Sequence, residues 1–164
     1  MTGEGAPDLA PLLPRDPTDP VPPLPPQPVI RTLRPDDADF LARYAAACDR
    51  VTDAAGIARI AGRWRETIGK PGHLGVVVWL NGRRVGFQDA WIKGETLKLN
   101  EIYVEASCRG QGLGKMMLTA IMKQGAARGL KKVRFDTELD NWPMRRLAEA
   151  AGFEGDGKLF ERKL

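Results

Sequence analysis

The sequence predicts a single α/β domain with a mixed, mostly antiparallel sheet flanked by helices, and three observations carry that reading. The apolar spacing along positions 29–164 switches repeatedly between the strand period and the helix period. Asn81-Gly82 lies between two strand-like runs, the pattern of a tight hairpin. A glycine-rich stretch, Arg109 to Lys115, joins a strand pattern to an apolar-striped helix pattern. With 164 residues the chain is long enough for one sizeable core and too short for two ordinary domains.

Val29 to Arg34 alternates and reads as a strand closed by Pro35. Asp36 or Asp37 then caps a helix running to about Cys48, with Phe40, Leu41, Tyr44 and Ala47 at helical spacing. A second helix covers about Ala54 to Ile68 and stops at Gly69, Pro71 and Gly72. Three strands follow: Gly75 to Leu80, Val85 to Ile92 and Thr96 to Glu105, the last two joined by the turn Lys93-Gly94-Glu95. The third helix spans about Leu113 to Arg128 and carries Met117, Leu118, Ile121 and Met122 before Gly129 ends it. Lys131 to Thr137 is a strand, Asn141 to Ala151 a helix stopped by Gly152, and Leu159 to Leu164 a last strand. The predicted order is β-α-α-β-β-β-α-β-α-β.

Ten of the thirteen prolines fall in residues 1–28, which therefore read as an extended, polyproline-type tail with no helix or sheet of its own, a disordered leader or linker in preference to a docking peptide. Four acids and Arg15 give this tail a net charge of −3, so the 136 residues of the domain, 29–164, carry +7. Charge alone points to nucleic acid. The basic residues are interleaved with acids, however, and the local cluster Arg128, Lys131, Lys132 and Arg134 sits at a helix-to-strand junction, where cations suit a helix C-terminus. A solvated face is the better reading, and no nucleic-acid partner is expected. No apolar run is long enough to span a membrane. Cys48 and Cys108 are far apart and lack metal-site spacing, which fits a reducing cytoplasm and neither a disulfide scaffold nor a thiolate metal cluster. His73 is the only histidine and reads as a loop residue, so no metal is expected.

The segment Arg109-Gly110-Gln111-Gly112-Leu113-Gly114-Lys115 is the most informative. Alternate glycines before a helix expose backbone N–H groups to which the helix dipole adds positive potential, an arrangement that binds phosphate. It is neither a P-loop nor a dinucleotide fingerprint, because the glycines run GxGxG and Lys115 is followed by Met116. A tight strand-to-helix turn is the plainer alternative. Arg109-x-x-Gly112-x-Gly114 after Ile102-Tyr103-Val104 resembles the acyl-CoA loop of the GNAT N-acetyltransferase superfamily. The resemblance extends over residues 29–164. Ile30-Arg31-x-Leu33-Arg34-Pro35-x-Asp37-Ala38 is similar to that family's first strand and helix, and Asn141-x-x-Met144-x-x-Leu147-Ala148-Glu149-x-x-Gly152-Phe153 to its fourth helix and the strand after it.

The resemblance implies acetyl transfer from acetyl-CoA to a primary amine by direct attack in a ternary complex. It implies that Ile102, Tyr103 and Val104 pair with pantetheine and that the amides of Gln111 to Lys115 hold the pyrophosphate, with Arg109 or Lys115 supplying charge. Asn141 reads as a helix cap, with or without a cofactor contact. The position that often carries an acidic tyrosine in the family is Ala148, and neither Tyr44 nor Tyr103 replaces it by spacing. Glu101 and Asp136 are the candidate bases, each with an ion-paired strand position as its alternative. Trp64, Arg65 and Glu66 fall where the family lines its acceptor site, although Trp64 also has core spacing. The acceptor is a small-molecule or peptide amine, and a homodimer is left open. The competing class is a non-catalytic acyl-CoA-binding module. A chain shortened to begin at Pro28 is expected to keep its thermal midpoint and CoA affinity, because residues 1–27 contribute little to a packed core. A fall of about ten degrees or more in a calorimetric scan, several times what losing a single ~1 kcal/mol contact costs, would show that the tail packs on the domain.

Overall fold

Strand β2 (His73–Leu80) explains why the sheet has helices on both faces. Its first six residues are buried, and successive side chains point to opposite sides. Val77 packs with Leu33, Phe40, Leu41 and Phe87 on one side, whereas Val76 and Val78 pack with Leu113 and Met117 on the other. A computed structural model describes residues 26–164 of the chain, so the tail expected over 1–28 lies almost wholly outside the described residues.

The remaining elements are β1 (Val29–Thr32), α1 (Ala38–Cys48), α2 (Ala54–Thr67), β3 (Arg83–Lys93), β4 (Thr96–Val104), α3 (Leu113–Ala127), β5 (Lys132–Asp136), α4 (Trp142–Ala150), β6 (Glu154–Gly155) and β7 (Leu159–Lys163). They form one seven-stranded sheet in the order β1-β2-β3-β4-β5-β7-β6. Only β4 and β5 run parallel, because α3 crosses over between them. The single α/β domain with a mostly antiparallel sheet is therefore as expected. The sequence misses β6, a two-residue strand too short to show a period. It also places His73 in a loop, although His73 is buried as the first residue of β2. A lone histidine beside Gly72 carries no strand signal; its burial comes from Trp64 and Trp91, whose rings lie 6.5 and 5.0 Å away.

Turn chemistry sets the register. Asn81 and Gly82 both adopt positive φ, 53° and 73°, the conformation that closes a two-residue hairpin without splaying its strands. The α1 face of the sheet is aromatic: Phe87 on β3 lies 6.1 Å from Phe40, 5.5 Å from Tyr44 and 6.1 Å from Trp64. Trp64 is thus a core residue. Arg65 pairs with Asp39 on the surface, and neither it nor Trp64 nor Glu66 lines the clefts beside β4.

Asp37 is not the side-chain cap of α1 that the sequence predicts. Its carboxylate is fully buried and accepts four hydrogen bonds, two from Arg31 at 2.8 Å, one from Arg84 Nε at 2.7 Å and one from the Arg34 backbone N–H at 2.8 Å. It thereby ties β1, β3 and the start of α1 together. Arg31 and Arg84 also lie over the Trp79 ring, at 5.3 and 4.5 Å. Burial works to raise the Asp37 pKa, but the hydrogen bonds from Arg31, Arg84 and Arg34 outweigh it and hold the carboxyl below its ordinary value. Asp37→Ala, which strands two guanidiniums, is expected to cost about 3 kcal/mol or more in denaturant unfolding. Because the folded pKa is depressed, the advantage of wild type over Asp37→Asn should be complete above pH 3.8 and vanish as the pH falls below it.

Candidate active site

The site begins where the sheet opens. β4 and β5 are paired through only three residues, Thr96–Lys98 against Lys132–Arg134, and then diverge. The divergence follows a bulge: Gln88 faces Ile102 and Ala90 faces Leu99, so Asn100 and Glu101 together oppose Asp89. An extra residue on one strand bends and twists it away from its old direction. The fully buried Asp89 carboxylate braces this bulge. It accepts the Glu101 backbone N–H at 2.9 Å and Asn100 Nδ2 at 3.2 Å, and lies 3.3 Å from His73 Nε2. Sequence reasoning missed Asp89, because a carboxylate in the middle of an apolar strand gives no sign of which donors will surround it.

Beyond the bulge, backbone groups of β4 are left without a strand partner. Glu105 N–H bonds to Val85, so Glu105 and Tyr103 face β3 with their backbone groups. Alternation then turns those of Ile102 and Val104 toward the opening, where β5 no longer runs. A cleft of about 720 Å³ occupies the opening. Of the predicted site residues, Glu101, Ile102, Tyr103, Val104, Arg109, Gly110, Gly112, Leu113, Gly114, Lys115, Asp136 and Asn141 all line it; Gln111 does not.

The glycines divide their tasks. Gly110 and Gly112 take φ of 75° and 77°, which swings the chain from β4 into α3, and a Cβ on either would meet nothing within 4 Å. Gly114 has an ordinary φ; a Cβ there would sit 3.4 Å from Leu147, so it lets α3 approach α4. No side chain caps α3, and the first amide to bond within it is Met116 N–H to Gly112. The amides of Leu113, Gly114 and Lys115 are therefore presented at the positive end of a 15-residue helix. Arg109 folds back to donate from Nε to the Val104 carbonyl at 2.9 Å. Asn141 accepts the Met144 N–H at 3.3 Å and caps α4, as its sequence position predicts. Gln88, buried on the cleft wall, has an Oε1 with no donor among the described residues.

The two candidate bases differ sharply. Asp136 ends β5, is 57% exposed and pairs with Lys98 at 3.3 Å across the end of the ladder, which is the ion-paired alternative expected for it. Glu101 is partly buried beside the C-terminal end of α1. Burial first, and then the Asp89 and Asp49 carboxylates, hold its carboxyl above the ordinary glutamate range. Tyr44 and Tyr103 stack with ring centroids 4.2 Å apart next to it. Burial, then Cys48 and Glu101, push the Tyr44 phenol above its usual value, so it stays protonated at neutral pH. Ala148, at the position where the resemblance places a tyrosine acid, is fully buried in the core and offers no proton. Among the described residues no cluster of three or more His, Cys, Asp or Glu forms a metal site, and no helix is long and apolar enough to cross a membrane.

A raised carboxyl pKa favours the folded state below the unfolded value and withdraws that contribution as the pH rises through the folded one. Glu101→Gln is therefore expected to raise the thermal midpoint at pH 7, with the gain disappearing as the pH falls toward 4.5. A midpoint lowered at pH 7 would show that the carboxylate is stabilised where it stands.

Comparison with known proteins agrees with this architecture. Among solved structures, the PaiA N-acetyltransferase of Thermoplasma acidophilum in complex with coenzyme A superposes with a TM-score of 0.69, covering 84% of this chain and 99% of that one at 17% identity. An N-acetyltransferase from Staphylococcus aureus Mu50 superposes with a TM-score of 0.70 over 84% of this chain and 98% of that one, at 21% identity. The aminoglycoside N-acetyltransferase AAC(6')-Iy, solved with a bisubstrate analogue of CoA and acetylneamine, gives 0.67 over 79% and 92% at 19% identity. No curated protein sequence is significantly similar to the chain. These structures share its fold. The family model described as Acetyltransferase (GNAT) family matches residues 37–153, from the buried Asp37 through the cleft to the end of α4, and the chain belongs to this family of acyltransferases.

Proposed function

We propose that the protein transfers the acetyl group of acetyl-CoA to an amine, which attacks directly while both substrates are bound. The observation that carries this reading is the continuous path from the unpaired edge of β4, Ile102 to Val104, to the uncapped start of α3, with Glu101 at its rim. The residues present fit CoA. Pantetheine is a chain of amides, and the cleft offers it the backbone groups of Ile102, the Val104 N–H and the orphaned Gln88 Oε1, the Val104 carbonyl being held by Arg109. Pyrophosphate suits the amides of Leu113, Gly114 and Lys115, with the Lys115 ammonium alongside.

Acetyl-CoA, when bound, supplies a thioester activated for attack by an amine. The Val104 N–H donates to the thioester carbonyl and stabilises the charge that develops on its oxygen. Glu101 accepts the proton that the amine must lose, and its raised pKa brings it nearer the operating pH. Asp136, solvated and paired with Lys98, steadies the far wall. With Ala148 in the tyrosine position, water protonates the departing thiolate. Catalysis is contained in residues 29–164, and the proline-rich 1–28 takes no part in it. Cys48 and Cys108 are free thiols and suit a reducing, cytoplasmic setting.

Gly112→Asp tests the donor half, because aspartate tolerates positive φ better than most residues and so leaves the fold intact. Its carboxylate would charge the phosphate seat, and calorimetric CoA affinity should fall about 10²-fold or more, from the loss of charge-assisted hydrogen bonds. Retained affinity would refute the cofactor assignment. Glu101→Gln should lower kcat/KM by about 10²-fold and flatten the acidic limb of its pH profile, whereas Asp136→Asn should change it little. Tight CoA binding without turnover across an amine panel would instead support a non-catalytic acyl-CoA-binding module.

A further inference from the structure

A second cleft, of about 660 Å³, adjoins the first on the α1 side of the sheet. Tyr44 and Tyr103 line both, so their stacked rings form the threshold between them. The second cleft runs from that threshold toward the β2–β3 hairpin and holds three guanidiniums, Arg43, Arg83 and Arg84, against one carboxylate, Glu105. Arg84 is committed to Asp37 at 2.7 Å. Arg83 gives Nη1 to Glu105 at 2.7 Å and is otherwise 57% exposed, with only the Cys108 sulfur, 3.8 Å away, near Nη2. Arg43 is exposed and makes no hydrogen bond or ion pair among the described residues.

The two ends of this path differ in sign. Glu101, with Asp89 and Asp49 acting on it, lies at the acidic end, and Arg43 and Arg83 lie at the cationic end. Along β4, Glu101 and the Arg83-bound Glu105 are four residues apart, or roughly 13 Å at the rise of an extended strand. An ordinary amine with no second charge would leave the cationic end unanswered. A guanidinium pair in a cleft recognises carboxylates through charge-assisted, often bidentate hydrogen bonds.

We infer that the acceptor is an amine that carries carboxylate groups roughly two to four extended peptide residues, some 7 to 13 Å, from its reacting nitrogen, as the N-terminus of a short acidic peptide does. The inference rests on the acetyl-transfer reading and extends it to the substrate class. The amine meets Glu101, the chain crosses the Tyr44–Tyr103 threshold, and the carboxylates meet Arg43 and Arg83. The bond formed is an amide between the peptide nitrogen and the acetyl carbon, the bond broken is the thioester, and the amine proton leaves by way of Glu101.

The test compares full-length protein with the C-terminally amidated peptides Ala-Gly-Asp-Asp, Ala-Gly-Asn-Asn and Ala-Gly-Lys-Lys, so that only the first carries carboxylates, following both CoA release and calorimetric binding to the CoA-loaded protein. The acidic peptide should exceed the amide peptide in kcat/KM by about 10-fold or more, the scale of one or two hydrogen bonds to a charged group. Arg43→Gln should shrink that ratio severalfold, and Arg43→Glu should reverse it in favour of the lysine peptide; circular dichroism establishes that each variant is folded. Arg83→Gln provides an independent second arm. Equal or better turnover of the amide or lysine peptide by wild type overturns the inference while acetyl transfer stands. If no peptide turns over, binding decides: acidic-peptide affinity lost in Arg43→Glu supports charge recognition and leaves the transfer reading to fail alone. Absence of any acidic-peptide binding overturns the inference.

Discussion

A carboxylate buried inside a sheet must be met by donors, and Asp89 imposes that requirement on everything around it. Its donors are the Glu101 backbone N–H, the Asn100 side-chain amide and the His73 ring, drawn from β4 and β2 on either side of β3. Meeting them needs two residues of β4 opposite one of β3, which is the bulge. The bulge re-aims β4 after only three residues of pairing with β5, and the opening that results is the cleft. The same carboxylate stands behind Glu101 and raises its pKa through space. One buried charge thus shapes the cleft and also helps set the basicity of the group at its rim.

Both faces of the sheet meet at this opening, and they contribute different groups to it. The face under α3 and α4 supplies the glycine turn, the uncapped amides of α3 and the cap at Asn141. The face under α1 and α2 supplies Glu101, the stacked tyrosines and the arginine-lined second cleft. Alternation along β4 makes the division possible: Ile102 packs toward Met117 and Tyr103 toward Phe40 and Phe87. A single strand therefore lines both clefts, with its backbone edge turned to the opening.

The site is also where ordinary stabilising devices are missing. α3 has no side-chain cap, Gln88 Oε1 has no donor among the described residues, and Glu101 is held partly buried with like charges nearby. Each of these costs folding free energy and each leaves a group ready for a ligand. Distant elements carry the compensation. Asp37 gathers four hydrogen bonds that join β1, β3 and α1, and the aromatic cluster around Phe87 packs α1 and α2 onto the sheet. That framework packs the α1 face onto the sheet beside the opening.

Most of the fold was legible in the sequence because its signals are local. Asn81-Gly82 specifies a hairpin through the φ values those residues accept, the stripe from Leu113 through Met122 specifies a helix through its period, and the GxGxG run marks the turn between β4 and α3. Most of the candidate cleft residues were legible for the same reason, since they lie on one continuous stretch from Glu101 to Lys115, with Asp136 marked by the strand that follows α3 and Asn141 by its capping position. The rest depended on contacts between residues far apart in the chain. Whether Asp37 caps a helix or is buried under Arg31 and Arg84, whether His73 is loop or core, and which of Glu101 and Asp136 is desolvated are all decided by what packs against them. Asp89 gave no signal at all, because a carboxylate's donors are supplied by neighbouring strands. Periodicity and turn chemistry determine the elements of this protein; the pairing of those elements decides which charges are buried, and hence which groups are reactive.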